Sequence, residues 1–249
     1  MPARRALITR LNSYPMEVTP QLLGSFPLLR TVSTAELETL APSCRAEKFS
    51  RRGVVLDPND DDAPVCFLFE GRLQGIDFTL DGREVGLFFV EPGDFCGEMP
   101  LFDELARPEY VIALTSSLVV KVPTRTIKAI MTENANMMNL LGKKLAVRVK
   151  QLTHQRSLLA ISNIQQRVCS QLWMLCADEN RKSGDRTDLE AEILNPPTHL
   201  EIANMISVSR ESVTRVFQTL QNRQIVRRKG QNSLIIISPE ALRNLANGE

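Results

Sequence analysis

Ser209-Arg210-Glu211-Ser212-Val213-Thr214-Arg215 combines residue types that could read base edges in a DNA groove. Arg210, Glu211, Thr214 and Arg215 stand at i, i+1, i+4 and i+5, which at about 3.6 residues per turn gathers them on one broad helical face. Val213, Val216, Phe217 and Leu220 form the opposite stripe and can pack on a core. Arginine offers guanine a bidentate donor fork, and glutamate accepts from the cytosine amino group. Ser209 supplies a natural N-cap. The same heptapeptide would also suit the solvated face of an ordinary surface helix, so alone it leaves both readings open.

The flanking residues favour the first reading. Thr198 can cap a short helix whose Leu200, Ile202, Ala203 and Ile206 make an apolar surface. Ser207-Val208 is then a tight connection to the helix that Ser209 opens, which is the helix-turn-helix pattern with its second helix in the major groove. That turn often uses glycine at a positive-φ position. Ser207 stands there instead, at a cost of roughly 1 kcal/mol. Arg227-Arg228-Lys229-Gly230-Gln231-Asn232 before Leu234-Ile235-Ile236-Ile237 reads as a hairpin, a wing whose Arg228 and Lys229 could meet phosphates. Six basic residues between Thr198 and Lys229 face only Glu201 and Glu211, whereas the whole chain carries a net charge of +1. Affinity for a polyanion must therefore come from this focused patch.

Other chemistry is poorly supplied. Among 249 residues, 43% hydrophobic and 24% charged, there is no run of about 18 apolar residues and no apolar stretch behind Arg4 and Arg5, so neither a membrane span nor secretion is expected. Cys44, Cys66, Cys96, Cys169 and Cys176 are odd in number and scattered, which suits reduced thiols in a cytoplasm rather than a disulfide framework or a thiolate metal site. His154 and His199 are the only histidines, and neither has a ligand partner nearby in sequence. Asp60-Asp61-Asp62 reads as a solvated turn. No Gly-rich phosphate loop, paired catalytic carboxylates or Ser/His/Asp set stands out. Neither a catalytic nor a metal site is expected, and no cofactor is required.

These residues need elements to position them. An α+β chain is expected: an N-terminal arm (1–24), an antiparallel, jelly-roll-like β-roll (25–123), a long dimerisation helix (124–162) and a C-terminal winged helix-turn-helix (163–249). Thr34 to Leu40 reads as a short capped helix. β-type runs cover 52–56, 65–69, 72–80, 84–90 and 111–122, and Asp81-Gly82 is a strong hairpin signal. Along the long helix, Met138, Leu141, Leu145, Arg148, Leu152, Gln155 and Leu159 step alternately by three and four, an a/d seam with two polar interruptions. A seam this long suits a parallel two-helix dimer, which would present two reading heads to a palindromic site. Residues 178–190 read as an exposed polar loop.

This order of elements resembles the Crp–Fnr family of bacterial transcription regulators, over nearly all of residues 25–240. Val208 to Arg215 is similar to the family's recognition-helix pattern. Phe69-Glu70-Gly71-Arg72-Leu73 and Pro92 to Phe102 resemble landmarks of its cyclic-nucleotide-type roll. The resemblance implies that Arg210, Glu211 and Arg215 read a GTGA-like half-site, that RNA polymerase is a partner, and that a Gly-Glu pair, here Gly97 and Glu98, contacts an effector's ribose. It also implies an Arg-Ser phosphate grip, where Arg107 stands for the arginine and Pro108 replaces the serine. Of two base-contacting polar positions on the long helix, Leu152 replaces one and Thr153 keeps the other. A grip missing donors forfeits roughly 1.5–3 kcal/mol per charge-assisted bond, which weakens the case for cyclic AMP and leaves a cyclic mono- or dinucleotide open as effector. A regulator without a ligand, or a cyclic-nucleotide-type regulatory subunit or enzyme, are the alternative readings.

Overall fold

Thr19 accepts a hydrogen bond from the Leu22 amide and starts α1 (Pro20–Gly24), inside the segment expected to be a free arm. Burying Val18 and Leu23 in the same cluster as Phe67 and Val120 ties this part of the arm down. The computed structural model describes residues 17–60, 64–103, 109–183, 190–230 and 233–249, with the side chains of 177–183 left aside. The rest of the expected arm (1–16), Asp61, Asp62, Arg107 and Pro108 lie outside them. Contacts divide the chain into two units, Met1–Gly82 with Leu87–Val149, and Arg83–Gly86 with Lys150–Glu249.

In the first unit a Ser33–Glu36 capping box opens α2 (Thr34–Leu40). Among the described residues eight strands follow: β1 (Arg45–Phe49), β2 (Val54–Leu56), β3 (Val65–Glu70), β4 (Leu73–Phe78), β5 (Glu84–Val90), β6 (Phe95–Cys96), β7 (Tyr110–Ala113) and β8 (Ser117–Val122). They form two four-stranded sheets, ordered β1-β8-β3-β6 and β2-β7-β4-β5. The strand period of two sorts the side chains. Cys66 and Leu68 turn inward to a core shared with Leu73, Phe88 and Val111 of the other sheet. Val65 and Phe67 turn outward, beneath α1, α2 and the helices that follow β8. This is the expected jelly-roll-like arrangement. β1 and β6 were not legible as strands, and the single run expected over 111–122 is two strands divided at 114–116.

The expected single helix is likewise two, α3 (Thr124–Glu133) and α4 (Ala135–Leu159). Asn134 breaks it with extended backbone (φ −117°, ψ 91°), and its side chain binds the Met137 amide at 2.9 Å and the Thr31 carbonyl at 2.8 Å.

The second unit contains α5 (Ile164–Ser183), β9 (Ala191–Leu194), α6 (His199–Met205), α7 (Arg210–Asn222), β10 (Val226–Arg228), β11 (Ser233–Ile236) and α8 (Pro239–Asn247). Its sheet runs β10-β11-β9, antiparallel throughout. Helix α5 continues to Ser183, into the stretch expected to be a loop from 178; residues 184–189 lie outside the described ones. Val213, Val216, Phe217 and Leu220 of α7 are buried, as their stripe implied. All five cysteines are buried, and burial pushes the Cys44 thiol up to about 11 and that of Cys169 up to about 12. Among the described residues, no helix is long and apolar enough to cross a membrane.

Candidate nucleic-acid interface and effector cradle

Local sequence places α6 and α7 with little slack. Thr198 and Glu201 form a reciprocal capping box that starts α6. Ile206 caps its other end, Ser207 adopts φ +52°, and the Val208 amide reaches back to the Ala203 carbonyl at 3.0 Å. This six-to-one bond around a left-handed residue is a Schellman closure, and it turns the chain sharply toward α7. Arg167 reinforces it from α5, donating to the Ile206 carbonyl at 2.9 Å and to the Ile161 carbonyl. Ser209 then caps α7, accepting from the Ser212 amide at 3.2 Å.

The expected contact residues differ in what they have to spend. Ser209, Arg210, Glu211 and Arg215 are exposed, on the α7 face opposite its buried stripe. Among the described residues the Arg215 guanidinium has one hydrogen bond, to the Ser212 hydroxyl at 3.4 Å. Thr214 is half-buried and doubly engaged: its hydroxyl donates to the Arg210 carbonyl at 3.0 Å and lies 2.9 Å from His199 Nδ1. It braces the first turn of α7. In the wing Arg228 is exposed, while the Lys229 ammonium sits 3.6 Å from the Glu192 carboxylate. Glu192 is itself held below the usual carboxylate range, first by the Ser233 hydroxyl and then by Lys229.

In the first unit, Gly97 and Glu98 follow β6. Gly97 takes φ +80°, and a Cβ there would lie 2.7 Å from the Pro64 carbonyl and 2.8 Å from Leu56 Cδ1, so only glycine permits this backbone. Glu98 is buried against Arg148 of α4. The Arg148 guanidinium pairs with Glu98, donates to the Phe95 carbonyl at 2.7 Å, lies 3.7 Å from Glu109 and covers the Phe88 ring at 4.1 Å. Burial raises the Glu98 carboxyl above its ordinary range, and Arg148 only partly opposes this. Among the described residues Glu98 Oε2 and Arg148 Nε are buried without hydrogen-bond partners. Arg107 lies outside the described residues. Thr153 is exposed on α4, five residues beyond Arg148.

The expected seam on α4 needs correction. Leu141 is wholly buried in the first unit's core, Arg148 is in the cradle, and Gln155 is buried with its amide 3.3 Å from Met205 Sδ. These three face their own protomer and cannot line a helix pair. Met138, Leu152 and Leu159 are exposed and Leu145 is half-buried. The outward stripe runs instead through Met138, Gly142, Leu145, Val149, Leu152, Arg156 and Leu159, shifted by one residue at alternate positions from the expected seam.

Both halves match known families. A Crp-like helix-turn-helix domain matches residues 166–245, and a cyclic nucleotide-binding domain matches residues 46–134. The chain belongs to the Crp–Fnr family. It is similar to the cAMP-activated global transcriptional regulator Vfr of Pseudomonas aeruginosa, with 23% identity across 84% of this chain and 97% of Vfr. The cAMP-activated regulator CRP of Pasteurella multocida is 22% identical over 80% of this chain and 93% of its own. In fold it resembles a CooA mutant from Carboxydothermus hydrogenoformans (TM-score 0.67, 18% identity, 82% of this chain and 88% of that one). It also resembles the c-di-GMP responsive global regulator CLP of Xanthomonas campestris (TM-score 0.62, 20% identity, 83% and 99%). This Crp–Fnr protein is thus a transcription regulator with a helix-turn-helix DNA-binding domain rather than an enzyme. Two of its residues escaped sequence reading. Arg148 was absorbed into an apolar seam, although a cation interrupting such a seam is itself a sign of a buried partner. His199 was set aside for want of a ligand, and its partner Thr214 lies fifteen residues away in the chain.

Proposed function

We propose that the protein is a homodimeric Crp–Fnr regulator that reads a palindromic site with GTGA-like half-sites and responds to a small effector in the β-roll. Arg210, Glu211 and Arg215 read bases, while Ser209, Arg228 and Lys229 hold phosphates. The exposure of both recognition arginines on a helix whose other face is buried carries this reading. The outer stripe of α4 supports pairing of two chains, and the unpartnered Glu98 Oε2 beside the Gly97 backbone supports a cradle for a ligand hydroxyl. Relatives named for cAMP and c-di-GMP favour a cyclic mono- or dinucleotide as that ligand. As a regulator of this kind it acts in the cytoplasm, on RNA polymerase at promoters.

Gel-shift titration on operator duplexes with single-base changes tests the reading. Arg210→Ala is expected to cost about 1–3 kcal/mol on the intact half-site and to lose discrimination at one base pair. Lys229→Ala is expected to weaken every duplex alike, by less than a free phosphate contact would give because of Glu192. Uniform losses for both variants on all sequences would overturn the assignment.

A further inference from the structure

His199 sits where two arginines, Arg210 and Arg228, act on one imidazole. Its ring packs on Phe217 with centroids 4.4 Å apart, and its Nδ1 lies 2.9 Å from the Thr214 hydroxyl. That hydroxyl has one proton and gives it to the Arg210 carbonyl at 3.0 Å, as a helical threonine does to the residue four before it. With the proton so placed, the threonine oxygen accepts from His199, and this arrangement assigns the neutral ring the Nδ1–H tautomer. Nε2 is left with its lone pair. Among the described residues no hydrogen bond engages Nε2, and the ring is only half-buried. The charged groups acting on the ring are cations: Arg228 from the wing and Arg210 from α7. Glu201, the acid on its own helix, is committed to the Thr198 amide at 2.9 Å.

We propose that His199 is a proton-linked phosphate contact, whose Nε2 takes up a proton and donates to a DNA backbone phosphate between Arg210 and Arg228. The inference rests on the DNA-binding reading above. A cluster of two arginines and an imidazole with no carboxylate among them is completed by an anion, and a phosphate is the anion that a reading helix and a wing both approach. In the free protein, burial, then Arg228, then Arg210 hold the imidazole below its ordinary pKa, so near neutrality the ring is uncharged. A phosphate reverses the balance by offering a negative partner. The sign follows: the pKa is raised in the complex, so the gain in affinity is fully present below the free-protein pKa and is lost as pH rises through the complex's value.

The test is an imidazole NMR titration of the full-length protein, free and bound, together with fluorescence-anisotropy titrations from pH 5.5 to 8.5. Two duplexes are used at low salt, one carrying an inverted GTGA repeat and one scrambled. Only His154 and His199 contribute ring signals, so assignment needs one variant, and the wild-type shift does not depend on a variant folding. The His199 pKa is expected to rise on binding either duplex. Each unit of that rise multiplies affinity by about tenfold per protomer once the pH is below both values. His199→Asn keeps a donor for Thr214 but lacks Nε2. It is expected to flatten the pH dependence and, at pH 6, to lower the slope of log affinity against log salt by about 0.9 per protomer. His199→Lys is expected to restore affinity without pH dependence. DNA binding with the same pH profile in wild type and His199→Asn, or an unmoved His199 pKa on saturation, would overturn the inference and leave the regulator reading standing. Absence of binding to both duplexes would strike the regulator reading itself and this inference with it.

Discussion

Arg148 and Glu98 join α4 to the β-roll through a buried ion pair. Desolvation of two charges costs several kcal/mol per ion, and only good geometry with added hydrogen bonds offsets it. Arg148 has that geometry, with Glu98, the Phe95 carbonyl, Glu109 and the Phe88 face around it. Each keeps one atom unpartnered among the described residues, but burial raises the Glu98 carboxyl despite the arginine. Arg148→Met is therefore expected to destabilise the first unit by about 3–5 kcal/mol at pH 8, because it strands a buried carboxylate. With the arginine gone the Glu98 pKa rises further. A carboxyl with a raised folded-state pKa contributes stability below its unfolded value and loses it as pH climbs through the folded one. The cost of Arg148→Met should thus shrink toward pH 5, and Arg148→Met/Glu98→Gln should recover most of it at pH 8. Urea unfolding followed by far-UV circular dichroism measures both. A cost that is equal at pH 5 and pH 8 would show that Glu98 does not carry the effect.

At the scale of elements, caps and turns were the most legible features and face assignments the least. The Thr198 cap, the Ser209 cap and the positive φ at Ser207 all follow from short-range chemistry, which sequence displays directly. Ser207→Gly tests the turn. Removing a left-handed serine relieves roughly 1–2 kcal/mol, and the looser unfolded chain takes back part of it, so a net gain of up to about 1 kcal/mol is expected. Trp173 is the one tryptophan and lies on α5 in the same unit, so its fluorescence in urea reads the gain; a loss would mean that the serine hydroxyl matters more than its backbone. Strands β1, β6 and β9 were illegible for another reason. Arg45-Ala46-Glu47-Lys48-Phe49 buries only Ala46 deeply, and its strand form comes from pairing with β8, a partner more than 60 residues away. The α4 seam misled because Leu141 scores as apolar while Gly142 does not, although Leu141 faces the core and Gly142 the outside. Periodicity identifies an apolar helix. It does not say which of two adjacent faces belongs to the protomer.

For the whole molecule, that face decides whether there is one reading head or two. The outward stripe of α4 exposes Met138, Val149, Leu152 and Leu159, with Gly142 leaving room for close approach of a second backbone. Such a run on a long helix is stabilised by covering it, and a second copy of α4 related by a two-fold axis covers it with itself. Val149→Glu/Leu152→Glu places like charges across that axis and is expected to shift the protein from dimer to monomer in sedimentation equilibrium. Operator binding should then fall by about 10²–10⁴, because the second half-site is no longer bound intramolecularly. Val147→Glu is the matched control. Val147 is equally apolar and exposed, but it stands two residues from Val149, about 200° around the helix. It should leave both the dimer and the operator affinity intact. Dissociation by Val147→Glu as well would place the pairing face elsewhere on α4, and a dimer that survives the double substitution would remove α4 from the interface altogether.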